Sequence, residues 1–375
     1  MRDILDQVVK WWDSGETFGL ATVVRTFSSA PREPGAAMAV SAGGEVVGSV
    51  SGGCVEGAVY ELAGEVVASG KPVLQRYGVS DDTAFSVGLT CGGIIDIYVE
   101  PVSKDHFGDL RDIASAVIAG EPVAVATVIE GPGTVGARRV IWPEGEAARP
   151  EASGTLGSGK RLDQAVDDDA RGMLAQGLTG VRHYGADGER RMDELSVFVQ
   201  SFAPPPRMLV FGAIDFAAAV ARIGKFLGYR VTVCDARPVF ATTARFPEAD
   251  EVVREWPHRY LSREGTDERT VICVLTHDPK FDVPVLEVAL RAPAAYIGAM
   301  GSRRTHDDRL ERLREAGLTD EELARLRSPV GLDLGARTPE ETAVAIAAEL
   351  IQLRWGGTGR PLTSTEGRIH HEHPS

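Results

Sequence analysis

Arg207-Met208-Leu209-Val210-Phe211-Gly212-Ala213-Ile214-Asp215-Phe216-Ala217 follows directly on Pro204-Pro205-Pro206. Three consecutive prolines continue neither a helix nor a central strand, so a domain boundary falls there. Arg207–Phe211 reads as a short apolar strand ending at Gly212, and the Ala-rich run to about Gly228 as a helix. Further along, Tyr229–Cys234, Thr270–Leu275 and Ala295–Ala299 read as apolar strands, with a helix around Pro284–Arg291. Strands and helices alternating at this spacing predict a doubly wound parallel sheet over 207–355. Its last helix is announced by Thr338 as N-cap, Pro339 in the first turn and Glu341 closing a capping box. Trp355-Gly356-Gly357 ends it, and 356–375 reads as a flexible tail.

The loop after the first strand carries the fingerprint question. A Rossmann dinucleotide site has G-x-G-x-x-G or G-x-G-x-x-A, and here the second Gly is Ile214. That glycine normally lets the pyrophosphate approach the backbone, so the sequence disfavours NAD(P) in the usual pose. Asp235 ends the second strand, where a ribose-binding acid stands. Thr276-His277-Asp278 follows the next strand, with His277 a candidate acid–base group or a cap. Gly298, then Gly301-Ser302-Arg303-Arg304, leads from a strand into a helix and resembles an anion cradle. In a parallel sheet these groups gather at the carboxyl edge, where ligands bind.

Residues 1–203 read as an α+β domain with an internal duplication. Leu20-Ala21-Thr22-Val23-Val24 parallels Val125-Ala126-Thr127-Val128-Ile129, Gly48-Ser49-Val50 parallels Gly154-Thr155-Leu156, and Arg76-Tyr77-Gly78 parallels His183-Tyr184-Gly185. Ile95–Val99 and Leu195–Val199 close the two halves. Coincidence among common strand patterns is the alternative, and the shared order decides for duplication. The expected unit is strand–strand–helix–strand, repeated over about 15–102 and 121–203 around a pseudo-twofold axis.

The copies differ chemically. Ser51-Gly52-Gly53-Cys54 faces Gly157-Ser158-Gly159-Lys160, and Gly88-Leu89-Thr90-Cys91-Gly92-Gly93 has no counterpart. Cys54 precedes a predicted helix, Val55–Ser69. A thiol there faces the positive end of the dipole and unpaired N–H groups, which favour the thiolate. The same N–H groups suit a phosphate, and the glycines allow close approach. Cys91 has a similar Gly-flanked setting, so Cys54 and Cys91 are expected to converge on one cleft as nucleophiles or metal ligands. The alternative is that both are small buried hydrophobes. Cys234 and Cys273 lie in apolar strands and read as core. No Cys or His cluster has zinc-ligand spacing, and His370, His371 and His373 sit in the tail.

Composition narrows the classes. With 43% hydrophobic and 25% charged residues the chain is an ordinary globular protein, and 375 residues call for two or three domains. A net charge of -14 argues against nucleic acid as partner. No run approaches the length of a membrane span, the N-terminus lacks a signal-peptide layout, and four cysteines suit a reducing cytoplasm.

Taken together, Ser51-Gly52-Gly53-Cys54-Val55-Glu56-Gly57 and Gly88–Gly93 resemble the N-terminal signatures of the XdhC/CoxI family. Thr276-His277-Asp278-Pro279-Lys280-Phe281-Asp282, Tyr296–Thr305 and Gly331–Glu340 resemble its C-terminal Rossmann domain. The resemblance implies a cytoplasmic, dimeric accessory protein rather than a free-standing metabolic enzyme. Such a protein would bind molybdenum cofactor, as molybdopterin or a dinucleotide form of it. It would support the cofactor's sulfuration, with a cysteine desulfurase as a further partner, and its insertion into a xanthine or carbon monoxide dehydrogenase. Many members have Gly-Ala-Gly-His where this chain has Gly212-Ala213-Ile214-Asp215, a departure confined to this loop. Two other readings stand beside it: a nicotinamide-dependent oxidoreductase using Asp235 and His277, and an adaptor whose Rossmann domain docks a client.

Overall fold

The structure, a computed structural model, describes residues 1–27, 32–78, 93–143 and 151–366. The described residues divide into two compact units, Met1–Pro204 and 205–366.

The first unit opens with α1 (Leu5–Asp13), β1 (Phe18–Phe27), β2 (Ala37–Val40), β3 (Val46–Gly48), α2 (Glu56–Ser69), β4 (Val73–Tyr77) and β5 (Ile94–Val102). After α3 (Leu110–Ala119) the pattern returns as β6 (Val123–Glu130), β7 (Arg138–Ile141), β8 (Ala152–Gly154), α4 (Lys160–Gln176), β9 (Gly180–Tyr184) and β10 (Leu195–Phe202). Two five-stranded sheets result, ordered β3-β2-β1-β5-β4 and β8-β7-β6-β10-β9. The identical order is the internal duplication. Each copy is β-β-β-α-β-β rather than strand–strand–helix–strand. The missed strands are only three to five residues long, too short to display a period.

Period-two alternation assigns each sheet two jobs. Ala21, Val23, Ile97 and Val99 face α2 and pack on Val59, Ala63 and Val66. Leu20 and Val102 face the other way and share a cluster with Val125 and Phe202 of the second copy. Val24 and Tyr98 likewise meet Ile129 and Phe198. The second sheet mirrors this, with Ala126, Val128 and Val197 under Leu162, Val166 and Ala170 of α4. Sheets therefore pack on each other and a helix covers each outer face. α2 lies so close to β1 that a Cβ on Gly19 would stand 2.7 Å from the Ala63 Cβ. Between the sheets Arg138 donates to Glu100, whose carboxyl is pushed up by burial and pulled back by that guanidinium.

The second unit contains β11 (Arg207–Phe211), α5 (Asp215–Phe226), β12 (Arg230–Cys234), β13 (Glu251–Val253), α6 (Pro257–Glu264), β14 (Val271–Val274), α7 (Pro279–Ala289), β15 (Tyr296–Ala299), α8 (Arg303–Glu315), α9 (Asp320–Leu323), β16 (Leu326–Arg327) and α10 (Pro339–Trp355). The sheet is parallel throughout, ordered β13-β12-β11-β14-β15-β16. Its central strands are buried on both faces. Met208 and Val210 pack with α5 and α10, while Leu209 and Phe211 pack with α6 and α7. The order reverses between β11 and β14, which makes that edge the topological switch point. Thr338 caps α10 in a capping box with Glu341, and Gly356 ends it in a left-handed conformation. α7 starts at Pro279, ahead of the expected Pro284. Asp278 caps it and a proline is welcome in a first turn, whereas Pro284 is carried inside the helix.

Candidate functional site

Three strands of the first sheet set up the Cys54 turn. β1 is antiparallel to β2 and β5, β3 to β2, and β4 to β5, so β1, β3 and β4 run the same way. The chain leaves β3 at Gly48 and β4 at Tyr77 along one edge, and re-enters at Gly93 and Ile94 there. The turn over residues 49–55 follows β3 at that edge. Cys54 is partly exposed at its end and packs against the core under α2. Cys91 and Gly92 lie outside the described residues, and with them the expected convergence of the two cysteines. Gly93 is buried just ahead of β5.

The anion in this turn is the protein's own. One oxygen of Glu56 accepts the Ser49 hydroxyl at 2.7 Å and the N–H groups of Ser51 and Gly52 at 2.9 and 3.0 Å. The other accepts the Ser51 hydroxyl and the N–H groups of Gly53 and Val55, at 2.8 and 3.2 Å for the two amides. Burial raises the Glu56 carboxyl, but the Ser51 and Ser49 hydroxyls and the Ser51 N–H outweigh it and bring it down to about 2. The cradle expected to receive phosphate at Ser51, Gly52 and Gly53 is thus filled by Glu56. Its N–H groups are paired with a carboxylate instead of facing the thiol alone. Gly52 and Gly53, at φ +78° and +119°, supply the backbone curvature that wraps the carboxylate.

At the carboxyl edge of the second sheet the candidates separate into committed and open groups. Asp235 is buried and accepts from the Ala213 N–H at 2.8 Å, the Arg237 N–H at 2.8 Å, and both arms of the Arg237 guanidinium at 2.9 and 2.7 Å. Burial raises its carboxyl, and Arg237 and those N–H groups together hold it below the usual carboxylate range. Its oxygens are spoken for, so it is not a free ribose acceptor. Arg237 in turn stacks 4.6 Å from the Phe240 ring centroid. Gly212 is required by packing: at φ +106°, a Cβ there would stand 2.6 Å from Thr276 Cγ2. Gly298 is hemmed in by Tyr296 and Val330 in the same manner. Ile214 is the N-cap of α5 without a side-chain cap, and Asp215 in the first turn pairs with Arg245 at 3.2 Å.

Thr276 donates to buried Asp282, which Arg309 of α8 meets at 2.9 Å. Arg309 also donates to the Met300 carbonyl and the Ser328 hydroxyl, at 2.8 and 2.9 Å. One buried cation thus ties Asp282 of α7, which itself holds Thr276 after β14, to the loops after β15 and β16. Asp278, not His277, caps α7, and His277 is exposed. Ser302 caps α8 by accepting from the Thr305 N–H, while Gly301 lies against Thr305 and Arg303 and Arg304 stand exposed.

Sequence reasoning missed the roles of Glu56, Arg237, Asp282 and Arg309. A carboxylate at the first helical position marks Glu56, and the Asp-x-Arg spacing marks Arg237. Nothing local distinguishes Arg309 on a helix rich in arginine. Cys234 and Cys273 are buried in the sheet, and burial pushes both thiols up to about 12. Among the described residues no group of three or more His, Cys, Asp or Glu is arranged to hold a metal ion.

Comparison with known proteins agrees with this division of the chain. Residues 11–78 and 116–185 match the model described as XdhC and CoxI family, and residues 208–350 the model described as XdhC Rossmann domain. A Bacillus subtilis protein described as a probable xanthine dehydrogenase subunit is 28% identical over 89% of this chain and 92% of its own length. The molybdenum cofactor insertion chaperone PaoD of Escherichia coli is 28% identical over 94% of this chain and 88% of its own. A crystal structure described as a xanthine dehydrogenase from Bacillus halodurans superposes with a TM-score of 0.67 at 25% identity, covering 96% of this chain and 97% of that one. Residues 11–78 and 116–185 carry most of the two duplicated halves, with the Gly-flanked cysteine turn, and residues 208–350 carry the parallel sheet, so the chain belongs to the XdhC and CoxI family.

Proposed function

We propose that this chain is a maturation factor that carries molybdenum cofactor as cargo to a molybdenum hydroxylase of the xanthine or carbon monoxide dehydrogenase type. Family membership and the relative named as a cofactor insertion chaperone support the role. The observation that carries it is the contrast between the two sites. A partly exposed thiol sits on a turn braced by Glu56, while the ribose acid of the nucleotide fold is already locked to Arg237. That contrast weighs against a nicotinamide oxidoreductase, and NAD(P) is not expected to be a ligand.

Molybdenum bound by a pterin dithiolene is thiophilic, so Cys54 is the group here suited to contact the metal or relay sulfur, with Cys91 as its expected partner. Because Glu56 fills the cradle of the Cys54 turn, the pterin phosphate has to be held elsewhere. Separately, Arg303 and Arg304 at the start of α8 stand exposed and suit an anion in their own right. The same reading expects a soluble cytoplasmic homodimer, a molybdopterin or dinucleotide cargo, and a cysteine desulfurase as sulfur source. The chain's own residues bind, orient and release; no bond-breaking step on a metabolite is assigned to them.

The test is Cys54→Ser. The change is nearly isosteric and lies in a turn, so stability should move by about 1 kcal/mol or less. Pterin and molybdenum co-purifying with the protein should fall sharply, and a client enzyme made beside the variant should contain less sulfurated cofactor. Cys234→Ser, in a buried strand, should lower stability and leave cargo unchanged. Full cargo and full client activity with Cys54→Ser would refute the role given to this thiol.

A further inference from the structure

The second copy of the duplicated unit carries a cleft of about 390 Å³. It opens between the C-terminal half of α4, with Met173 and Leu178 on its floor, and Arg182, His183, Arg190 and Arg191 of β9 and the hairpin after it. Its charges are sorted. Asp169 is taken by Arg190, at 3.0 and 3.2 Å, and by the Tyr184 hydroxyl at 2.9 Å. Asp168 lies 3.6 Å from Arg190 and 4.0 Å from Arg171. His183 turns its Nδ1 toward Asp193 at 3.0 Å. Arg182 and Arg191 remain, exposed and without an ion pair among the described residues.

Arg191 is also the one non-glycine among the described residues at positive φ, +67°. A long side chain is strained in the left-handed region, and such strain persists where function asks for a side chain that glycine cannot provide. Here it accompanies a guanidinium on the lining of a concave site that already holds a second unpaired arginine. Two unpaired arginines on one lining that also presents Met173 and Leu178 suit a phosphate group joined to a flat or apolar body. The volume suits a molecule of nucleotide size and is too small for a folded partner.

We infer that this cleft binds the phosphate of a small phosphate ester, with Arg182 and Arg191 as its ligands. The assignment does not depend on the role of Cys54. Two sources share the chemistry, a free nucleotide and the phosphate of a pterin cofactor.

The whole chain is titrated with inorganic phosphate, AMP and adenosine by calorimetry. Inorganic phosphate and AMP should bind with Kd of about 1 mM or tighter, and adenosine should not bind. Arg182→Gln should weaken phosphate binding about tenfold or more. Arg191→Gly should weaken it equally and raise the melting temperature, because the strain is relieved while the ligand is lost. That opposite movement is what a merely structural arginine would not produce. AMP binding much more tightly than inorganic phosphate indicates a nucleotide, whereas phosphate binding blocked in pterin-loaded protein indicates the cofactor. Saturation by neither phosphate nor AMP, equal binding of adenosine and AMP, or unchanged affinity in both variants would overturn the assignment.

Discussion

Replacing Glu56 by Gln tests whether the Cys54 turn is built around a charge. The carboxylate accepts six hydrogen bonds, three on each oxygen. Gln keeps one acceptor oxygen and points an amide N–H₂ at three donors on the other side. A carboxyl depressed from 4.5 to about 2 corresponds to a ceiling of about 3 kcal/mol. Glu56 is only partly buried, so solvent screening reduces this to about 1–2 kcal/mol. Hydrogen bonds to a charged acceptor give the same range. For a unit of this size that is a fall in melting temperature of about 3–6 °C at pH 7. The pH dependence fixes the sign. A carboxyl depressed in the folded state stabilises above its unfolded value of 4.5, and that contribution is lost as pH falls through about 2. The gap between wild type and Glu56→Gln should therefore be full at pH 7 and shrink by more than half at about pH 3. Thermal unfolding followed by circular dichroism at both pH values is the assay. Equal melting temperatures at pH 7, or a gap that stays constant down to pH 3, would show that the turn does not depend on the carboxylate charge.

Ile214→Gly restores the missing fingerprint glycine but leaves Asp215 and the Asp235–Arg237 lock in place, so calorimetry with NADH should still show no saturation below about 100 μM. Saturation at low micromolar concentration would mean that Ile214 alone closes the site. Arg309→Met strands the Asp282 carboxylate in a buried site and should cost about 3–5 kcal/mol, read as a lower chemical-denaturation midpoint at unchanged slope. Adding Asp282→Leu to that variant should recover much of the loss, since it removes the orphaned charge. A single variant as stable as wild type would remove Arg309 from the support of the carboxyl edge.

The doubly wound sheet, the duplication, the capping of α10 and the burial of Cys234 and Cys273 were all legible in the sequence. Each is written in short-range signals: apolar runs of strand length, Gly and Pro punctuation, a Thr-x-x-Glu box, and segments repeated in one order. Such signals work because backbone geometry ties side-chain direction to position along the chain. What fills the two candidate sites was not legible. Glu56 faces back into the turn that precedes it, Arg237 folds onto Asp235, and Arg309 reaches from α8 to Asp282 on α7. A carboxylate has the same letters whether it is free or wrapped by six donors. Only the tertiary structure decides, because pairing depends on which groups meet in space and which of them water has left.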